Sequence, residues 1–208
     1  NNFKLPCQIS PNSISATQTL DISRRNRATL KKLISEARQF LFISSYIIED
    51  EELTELICQK AKTLPQGVWI LTDLRNEVID RIDVQVSNNI SLRSDYQRSD
   101  VRKKACLRML LNANIPIRSG AFHLKTYISE QCAYLGSCNL TRGSLDFNLE
   151  AGIVAQNNSI HTYLINSFCR FWQHRSRDEV IPISNLDGFR LRSITRSFQA
   201  DENYPNLL

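Results

Sequence analysis

Residues 40–72, FLFISSYIIEDEELTELICQKAKTLPQGVWILT, hold two apolar runs on either side of a helical pattern. The runs 40–47 and 68–72 have the length and the β-branched and aromatic content of buried strands. Between them, apolar residues over 53–61 recur at the spacing of an amphipathic helix. A strand, a helix and a second strand in this order predict a crossover unit with parallel strands.

The sequence on both sides of this unit continues the alternation. We predict helices over 30–37, 101–111 and 160–172, and strands over 115–120, 121–129, 132–137 and 150–156. The residues by themselves therefore indicate an α/β domain with an at least partly parallel sheet. We divide the chain into an irregular lead-in over 1–22, a domain over 23–174 and a C-terminal extension over 175–208.

Composition indicates an ordinary globular protein. The chain has 208 residues, 42% hydrophobic and 23% charged, and no apolar run approaches the roughly 18 residues of a membrane-spanning helix. Its six cysteines form no CxxC pair and do not cluster beside a histidine, which argues against a zinc site. We expect reduced, mostly buried thiols, a cytoplasmic protein and no metal.

The positive charge is unevenly placed. The net charge is +5, and residues 24–38 and 93–108 each contain six Lys or Arg. Such basic segments suit a polyanionic partner, either nucleic acid or an anionic membrane surface. Taken singly, either segment is about as well explained as a solvated helix face.

The chemistry concentrates in HLKTYISEQCAYLGSCN, residues 123–139. On a strand, His123 and Lys125 would project to the same side, because side chains alternate between faces. If the next strand pairs antiparallel across a turn at 130–131, Ser137 and Asn139 fall near the start of the first strand. An imidazole, an ammonium, a hydroxyl and an amide are the groups that cleavage of a phosphodiester requires: a nucleophile and donors for the phosphoryl oxygens.

These residues resemble a known family signature. His123-x-Lys125, ten residues, then Gly136-Ser137-x-Asn139 is similar to the HKD motif, HxKx(n)GSxN, of the phospholipase D superfamily. NLEAGI at 148–153 resembles the family's continuation, in which a glutamate follows the motif on the next strand. Glu130 stands where the family usually has aspartate, and we expect it to have a structural role only. The other two histidines, His161 and His174, lie outside the motif, and we expect them on helix surfaces.

The resemblance implies a fold and a mechanism. The fold is a mixed, largely parallel central sheet flanked by helices on both faces. In the mechanism, His123 attacks phosphorus and forms a phosphohistidine, and Glu150 accepts the other ring N–H. Lys125 and Asn139, with Ser137 assisting, hold the non-bridging oxygens, and no cofactor is needed.

The resemblance also implies a dimer. In-line displacement needs an acid opposite the nucleophile, and the chain has one motif only. We therefore expect a two-fold homodimer in which His123 of the second chain is the acid.

The substrate is open from sequence. We favour a nuclease acting on DNA or RNA. Basic residues that follow the strand at 68–72 would bind the phosphate backbone of the nucleic acid. These residues are Arg93, Arg98, Arg102, Lys103 and Lys104. The alternatives are a phospholipase D or phosphatidyl transferase, for which we find no apolar insertion loop or membrane anchor, and a nucleic-acid-binding module without turnover.

Overall fold

One sheet organises the protein. The structure, a computed structural model, describes residues 14–18, 25–74, 95–173, 178–183 and 188–193. The strands within these ranges are β1 (Ile14–Gln18), β2 (Leu41–Ser44), β3 (Val68–Thr72), β4 (Ile117–Ser119), β5 (Thr126–Ser129), β6 (Cys132–Gly136), β7 (Ala151–Gln156), β8 (Asp178–Ile183) and β9 (Gly188–Ser193). They form a single sheet in the order β1-β7-β6-β5-β2-β3-β4-β8-β9.

Helices cover both faces of this sheet, as predicted. They are α1 (Arg25–Glu36), α2 (Glu51–Ala61), α3 (Asp95–Asn112) and α4 (Ser159–Gln173), with a π-helix over Gly143–Phe147. Buried residues of α1, α2 and α3 share one apolar core with the sheet. Leu164 and Phe168 of α4 belong to a second core with Leu71 and Ile128 of the strands, so α4 covers the opposite face.

The α/β class and the mixed sheet are confirmed, but the expectation of a largely parallel sheet is wrong in its proportion. Only β2–β3 and β3–β4 pair parallel in the described sheet. The other neighbouring pairs are antiparallel. The reason lies in the connections: α2 and α3 are crossover helices, whereas two residues join β5 to β6, and so short a link permits only antiparallel pairing.

The strand–helix–strand unit at 40–72 forms as predicted. Asp50 is the N-cap of α2, and its side chain accepts a hydrogen bond from Leu53 N at 3.0 Å. This bond satisfies one of the free amides of the first turn. Gly67 precedes β3 with φ of 76°, a conformation that glycine adopts without strain.

The structure corrects the segment before β5. We expected strands at 115–120 and 121–129 joined by a turn, but β4 and β5 lie apart, separated in the sheet by β2 and β3. Residues 120–125 therefore cross the ends of those two strands in irregular conformation. Gly120 N donates to Thr72 O at 3.2 Å at the start of this crossing.

The ends of the chain also add strands. The lead-in was expected to be irregular, but residues 14–18 form β1, which pairs antiparallel with β7. The rest of the lead-in, 1–13 and 19–22, lies outside the described residues. In the C-terminal extension, β8 and β9 pair with each other and continue the sheet from β4. The division into 1–22, 23–174 and 175–208 stays a prediction.

Candidate active site

The predicted site residues lie at one edge of the sheet. The parallel strands β2 and β3 end there, β6 ends there, and β5 and β7 begin there, because β5 and β7 run antiparallel to their neighbours. His123 and Lys125 precede β5 in the crossing segment 120–125. Strand alternation is therefore not what brings the two residues together, and that expectation was wrong. The irregular backbone carries the pair across the carboxyl ends of β2 and β3.

His123 and Lys125 nevertheless contact each other directly. Lys125 Nζ lies 2.9 Å from His123 Nδ1 and donates to His123 O at 2.6 Å. Lys125 is 5% exposed, whereas His123 is exposed. Because an ammonium can only donate, the neutral imidazole in this arrangement carries its proton on Nε2. The lone pair of Nδ1 faces the ammonium.

The Lys125 ammonium is held against its preference for water. Burial lowers the pKa of Lys125, and the negative charge of Glu150 opposes this shift. The site thus contains a desolvated cation next to an exposed imidazole. Such a cation is well suited to stabilise negative charge on a phosphoryl group, since little water competes for it.

Ser137 and Glu150 form the second pair of the site. β6 and β7 pair in register at Gly136 and Gly152, which places the residues beyond the strand ends opposite each other. The Ser137 hydroxyl donates to Glu150 Oε2 and accepts from Ala151 N at 3.2 Å. The expected hydrogen bond from His123 to Glu150 is not found among the described residues, and Ser137 takes its place.

Asn139 is oriented by the backbone at the end of β2. Its Oδ1 accepts from Tyr46 N at 3.1 Å and from Ser45 Oγ at 3.4 Å. Ser45 Oγ in turn accepts from Leu140 N at 3.1 Å. Since the amide oxygen is bound in this way, the NH2 group of Asn139 is the part available to a ligand.

Two glycines let β6 and β7 approach at this edge. A Cβ on Gly136 would lie 2.6 Å from Ala151 O, and one on Gly152 would lie 2.4 Å from the Tyr134 ring. Tyr134 is fully buried, so its ring has no room to withdraw. The glycine of the GSCN motif is therefore required by packing under the Ser137–Glu150 pair.

The first turn of α1 supports the same region, which sequence reasoning missed. Asn26 is fully buried and donates through Nδ2 to Glu150 O at 3.2 Å. Arg27 binds Asp50 at 2.6 Å and Asp146 at 2.8 Å. It thereby ties α1 to α2 and to the π-helix. No spacing in RNRATL indicates these long-range contacts.

The contacts of Arg27 also weaken the interpretation of segment 24–38 as a binding surface for a polyanion. Although burial lowers the pKa of Arg27, its hydrogen bonds to Asp146 and Asp50 outweigh burial and raise it. Lys31 binds Glu52 at 2.6 Å on the surface. Arg27 and Lys31, two of the six basic residues of the segment, are therefore paired with carboxylates, and the segment is a weaker candidate for binding a polyanion than its sequence indicates.

Tyr46 is a further site residue that the sequence analysis did not identify. Its ring centroid lies 5.2 Å from that of His123, and Lys125 Nζ lies 5.8 Å from it. The residue is 36% exposed. The apolar run 40–47 placed Tyr46 inside a strand, whereas the observed strand β2 ends at Ser44.

The basic residues predicted to bind substrate fall mainly on α3. Arg93 lies outside the described residues, and Arg98, Arg102, Lys103 and Lys104 lie on the helix. Because α3 connects the parallel strands β3 and β4, it runs antiparallel to them, and its first half lies towards the edge that holds His123. Arg102 NH2 lies 3.9 Å from Glu49.

Glu130 and His161 have contacts inside the fold. Glu130 accepts from the backbone amides of Arg38 and Gln39 at 3.0 and 3.1 Å, as a structural role would require. His161 was expected on a helix surface, but it is 4% exposed, and its Nε2 lies 2.8 Å from Ser129 O. His174, expected on a helix surface as well, is outside the described residues.

The cysteines of the described ranges are free thiols: Cys58, Cys106, Cys132, Cys138 and Cys169. Only Cys106 and Cys138 are buried, fewer than expected. Burial raises the pKa of Cys138, the variable residue of the GSCN motif, to about 12. This thiol therefore stays protonated beside the site, and a thiolate nucleophile there is excluded at neutral pH.

The described residues contain neither a metal-binding cluster nor a membrane-spanning helix. No group of three or more His, Cys, Asp or Glu side chains in this part of the chain is arranged to hold a metal ion. No helix within the described ranges is both long enough and apolar enough to cross a membrane.

Comparison with solved structures shows what the fold resembles. Nuc from Salmonella typhimurium, described as a phospholipase D family member, is 17% identical with a TM-score of 0.59, covering 80% of this chain and 97% of Nuc. NucT from Helicobacter pylori is 13% identical with a TM-score of 0.53, covering 79% of this chain and 98% of NucT.

A larger protein shares the fold as well. Phosphatidylserine synthase from Haemophilus influenzae Rd KW20 is 11% identical with a TM-score of 0.54, and the match covers 80% of this chain and 39% of the synthase. The search of curated proteins found no match.

A family model confirms the resemblance seen in the motif. The model described as "Cardiolipin synthase, PLD-like domain" matches residues 30–172. This range is more than half of the chain, and it includes every element from β2 to β7, α4 apart from its last residue, and all five predicted catalytic residues. The protein therefore belongs to the phospholipase D superfamily, as a member with a PLD-like domain.

Proposed function

We propose that the protein is a metal-independent phosphodiesterase, and specifically a nuclease that cleaves DNA or RNA through a covalent phosphohistidine. The observation that carries this proposal is the pairing of exposed His123 with buried Lys125, 2.9 Å apart. They lie at a sheet edge where Asn139 offers amide donors and Ser137 binds Glu150. Nucleophile, cation and neutral donors thus lie within one small region.

The reaction would begin with the cation. A substrate phosphate would draw the Lys125 ammonium onto a non-bridging oxygen, which releases the lone pair of His123 Nδ1. Attack of this nitrogen forms an N–P bond while the P–O bond to the leaving group breaks. The NH2 group of Asn139 would bind a second non-bridging oxygen and stabilise the charge that develops there. Water then displaces the histidine from phosphorus and regenerates the imidazole.

Glu150, held by Ser137, would stabilise the positive charge that develops on the His123 ring. As the N–P bond forms, the His123 ring becomes cationic, and the nearby Glu150 carboxylate stabilises that charge. The Ser137 hydroxyl, which now donates to Glu150, holds the carboxylate in place. Ser137 would thus assist through Glu150, which differs from the direct phosphate contact expected from sequence.

A second chain would complete the site. The leaving oxygen needs a proton from a group opposite the nucleophile. Of the described histidines, only His123 lies at this edge, since His161 is buried against Ser129. We propose a two-fold homodimer in which the second His123, present as an imidazolium, supplies this proton. It is left neutral and then accepts a proton from the water that displaces the first histidine from phosphorus.

Charge favours nucleic acid as the substrate. The first half of α3 lies towards the edge that holds His123 and includes Arg98, while Arg102, Lys103 and Lys104 lie at the middle of the helix. Positive charge on a helix that begins near the proposed phosphodiester site suits a polymer that carries one phosphate per nucleotide.

Phospholipid is the second candidate. Phe147 and Leu149, which precede Glu150, are 62% and 75% exposed. Exposed apolar side chains next to a phosphodiester site would suit contact with a lipid surface.

One set of assays separates these candidates. Labelled DNA and RNA are incubated with the protein in EDTA, in parallel with phosphatidylglycerol and phosphatidylcholine vesicles. We expect nucleic acid to be cleaved in the chelator, and His123→Ala to reduce the rate by at least about 10³-fold. Lys32→Met, which changes an exposed residue of α1, is the matched control.

The other results are equally informative. Headgroup release without nucleic-acid cleavage would replace the nuclease by a phospholipid enzyme. Tight binding of nucleic acid without cleavage of either substrate would identify a binding module. Loss of cleavage in EDTA that added metal restores would contradict the metal-independent mechanism.

A further inference from the structure

The ring of Tyr46 borders the place where the scissile phosphate would bind. Its ring lies beside the imidazole of His123, with centroids 5.2 Å apart at an interplanar angle of 45°. The rings are tilted, so the imidazole does not cover the Tyr46 face as a parallel stack would. More than a third of the residue remains exposed.

The backbone of Tyr46 is fixed on both sides. Its N–H donates to Asn139 Oδ1 at 3.1 Å, and its carbonyl accepts from Thr72 Oγ1 at 3.3 Å. The hydroxyl has no hydrogen-bond partner among the described residues. The ring is therefore positioned by its backbone, and its aromatic surface, with no hydroxyl contact, is what it offers to a ligand.

The position of Lys125 beside the ring favours a ligand group that is directly attached to a phosphate. Lys125 Nζ lies 5.8 Å from the ring centroid, so the cation that would bind the phosphoryl oxygens also borders the aromatic face. A ligand bound here would carry a phosphate on Lys125 and a flat group against Tyr46. Nucleotides combine these two features, whereas a phospholipid headgroup has no aromatic ring.

We propose that Tyr46 stacks against a nucleobase adjacent to the scissile phosphate. This inference rests on the proposed nuclease function and extends it to a substrate class. A base can stack on Tyr46 only if it is not stacked within a duplex, so the substrate is single-stranded or locally unpaired nucleic acid. Stacking is tolerant of sequence, because every base has an aromatic face.

The test compares a substrate that has bases with one that lacks them. The probes are an oligothymidylate of about 10 nucleotides, within the usual range of single-strand site sizes, and an abasic oligomer of the same length. Binding is measured by fluorescence anisotropy in a His123→Asn background, which prevents cleavage. With Tyr46 present, we expect the oligothymidylate to bind about 5- to 100-fold more tightly than the abasic oligomer.

Variants at position 46 identify the source of this difference. Tyr46→Leu should remove most of the preference, with little change in the affinity for the abasic oligomer. Tyr46→Phe keeps the ring and should keep the preference. Tyr163→Leu is the matched control, because Tyr163 is also an exposed tyrosine, 67% accessible. It lies on α4, which covers the face of the sheet opposite to α1, α2 and α3.

Two outcomes would overturn the inference. If Tyr46→Leu weakens both oligomers equally, or changes neither affinity, Tyr46 does not stack on a base. If the folded protein cleaves duplex faster than single-stranded DNA, the substrate class is wrong. In either case the proposed nuclease stands as long as cleavage in EDTA depends on His123. If no nucleic acid is cleaved, the proposed function fails together with this inference.

Discussion

Lys125, which we propose binds the phosphoryl oxygens, is held in the fold at the expense of stability. The side chain is 5% exposed, and burial lowers the pKa of its ammonium. Its hydrogen bonds go to the His123 ring and carbonyl, neither of which is a carboxylate. The native state therefore holds a charge that is better solvated in the unfolded chain.

Replacing Lys125 by methionine should separate activity from stability. Lys125→Met keeps the volume and removes the charge, so we expect the free energy of unfolding to rise by about 0.5–2 kcal/mol. Activity should fall by at least about 10²-fold, because the phosphoryl oxygens lose their cation. Thermal unfolding and cleavage rates check the two effects, with Lys32→Met as the exposed control. A strongly destabilised Lys125→Met would contradict the account.

The pH dependence of stability provides an independent check of this prediction. Because the folded-state pKa is lowered, the unfolded chain binds more protons between that pKa and the ordinary lysine value. The destabilising effect of Lys125 is full below the folded pKa and disappears as pH rises through this window. The stability difference between wild type and Lys125→Met should therefore shrink towards high pH.

At the scale of elements, the β6–β7 pair determines where Ser137 and Glu150 meet. The pairing runs in register to Gly136 and Gly152, and Ser137 N donates to Ala151 O at 3.0 Å beyond it. Tyr134 packs over both glycines. The geometry of the two polar side chains is thus set by backbone approach.

We expect alanine at either glycine to disturb this pair. In Gly136→Ala and Gly152→Ala the added Cβ meets backbone or a buried ring within 3 Å, so each should cost about 1–3 kcal/mol in unfolding free energy and lower activity. Gly143→Ala is the control, since its nearest neighbour would be 3.7 Å away. Denaturant unfolding of the three variants tests this, and equal stability of all three would contradict it.

For the whole molecule, the open question is how many chains make one site. A heterodimer of wild-type and His123→Ala chains, purified through two different tags, holds one of the two proposed histidines. We expect its activity to lie about 10²–10⁴-fold below that of the wild-type dimer, because either the nucleophile or the acid is missing. Independent sites would leave half of the activity, and a fully active monomer by sedimentation would also contradict the proposal.

Local patterns predicted a large part of this fold. The unit at 40–72 formed as expected, since its strands and helix follow from apolar spacing and the cap at Asp50. The antiparallel pairing of β5 and β6, on which the predicted placement of Ser137 and Asn139 depended, also formed, because a two-residue link leaves no alternative. The sequence did not predict the proportion of parallel pairing or the strand at 14–18, since both depend on strand partners that are distant in sequence.

The sequence by itself determined the chemical groups of the site, the strand–helix–strand unit and membership of the superfamily, because motif and periodicity are properties of neighbouring residues. Tertiary structure alone decided which groups touch. His123 and Lys125 contact each other on a crossing segment, and Glu150 accepts a hydrogen bond from Ser137. Asn139 is held by the backbone of Tyr46, and Arg27 forms an ion pair inside the fold. The physical reason is that burial and hydrogen bonding depend on the strand order of the sheet, which joins residues that are far apart along the chain.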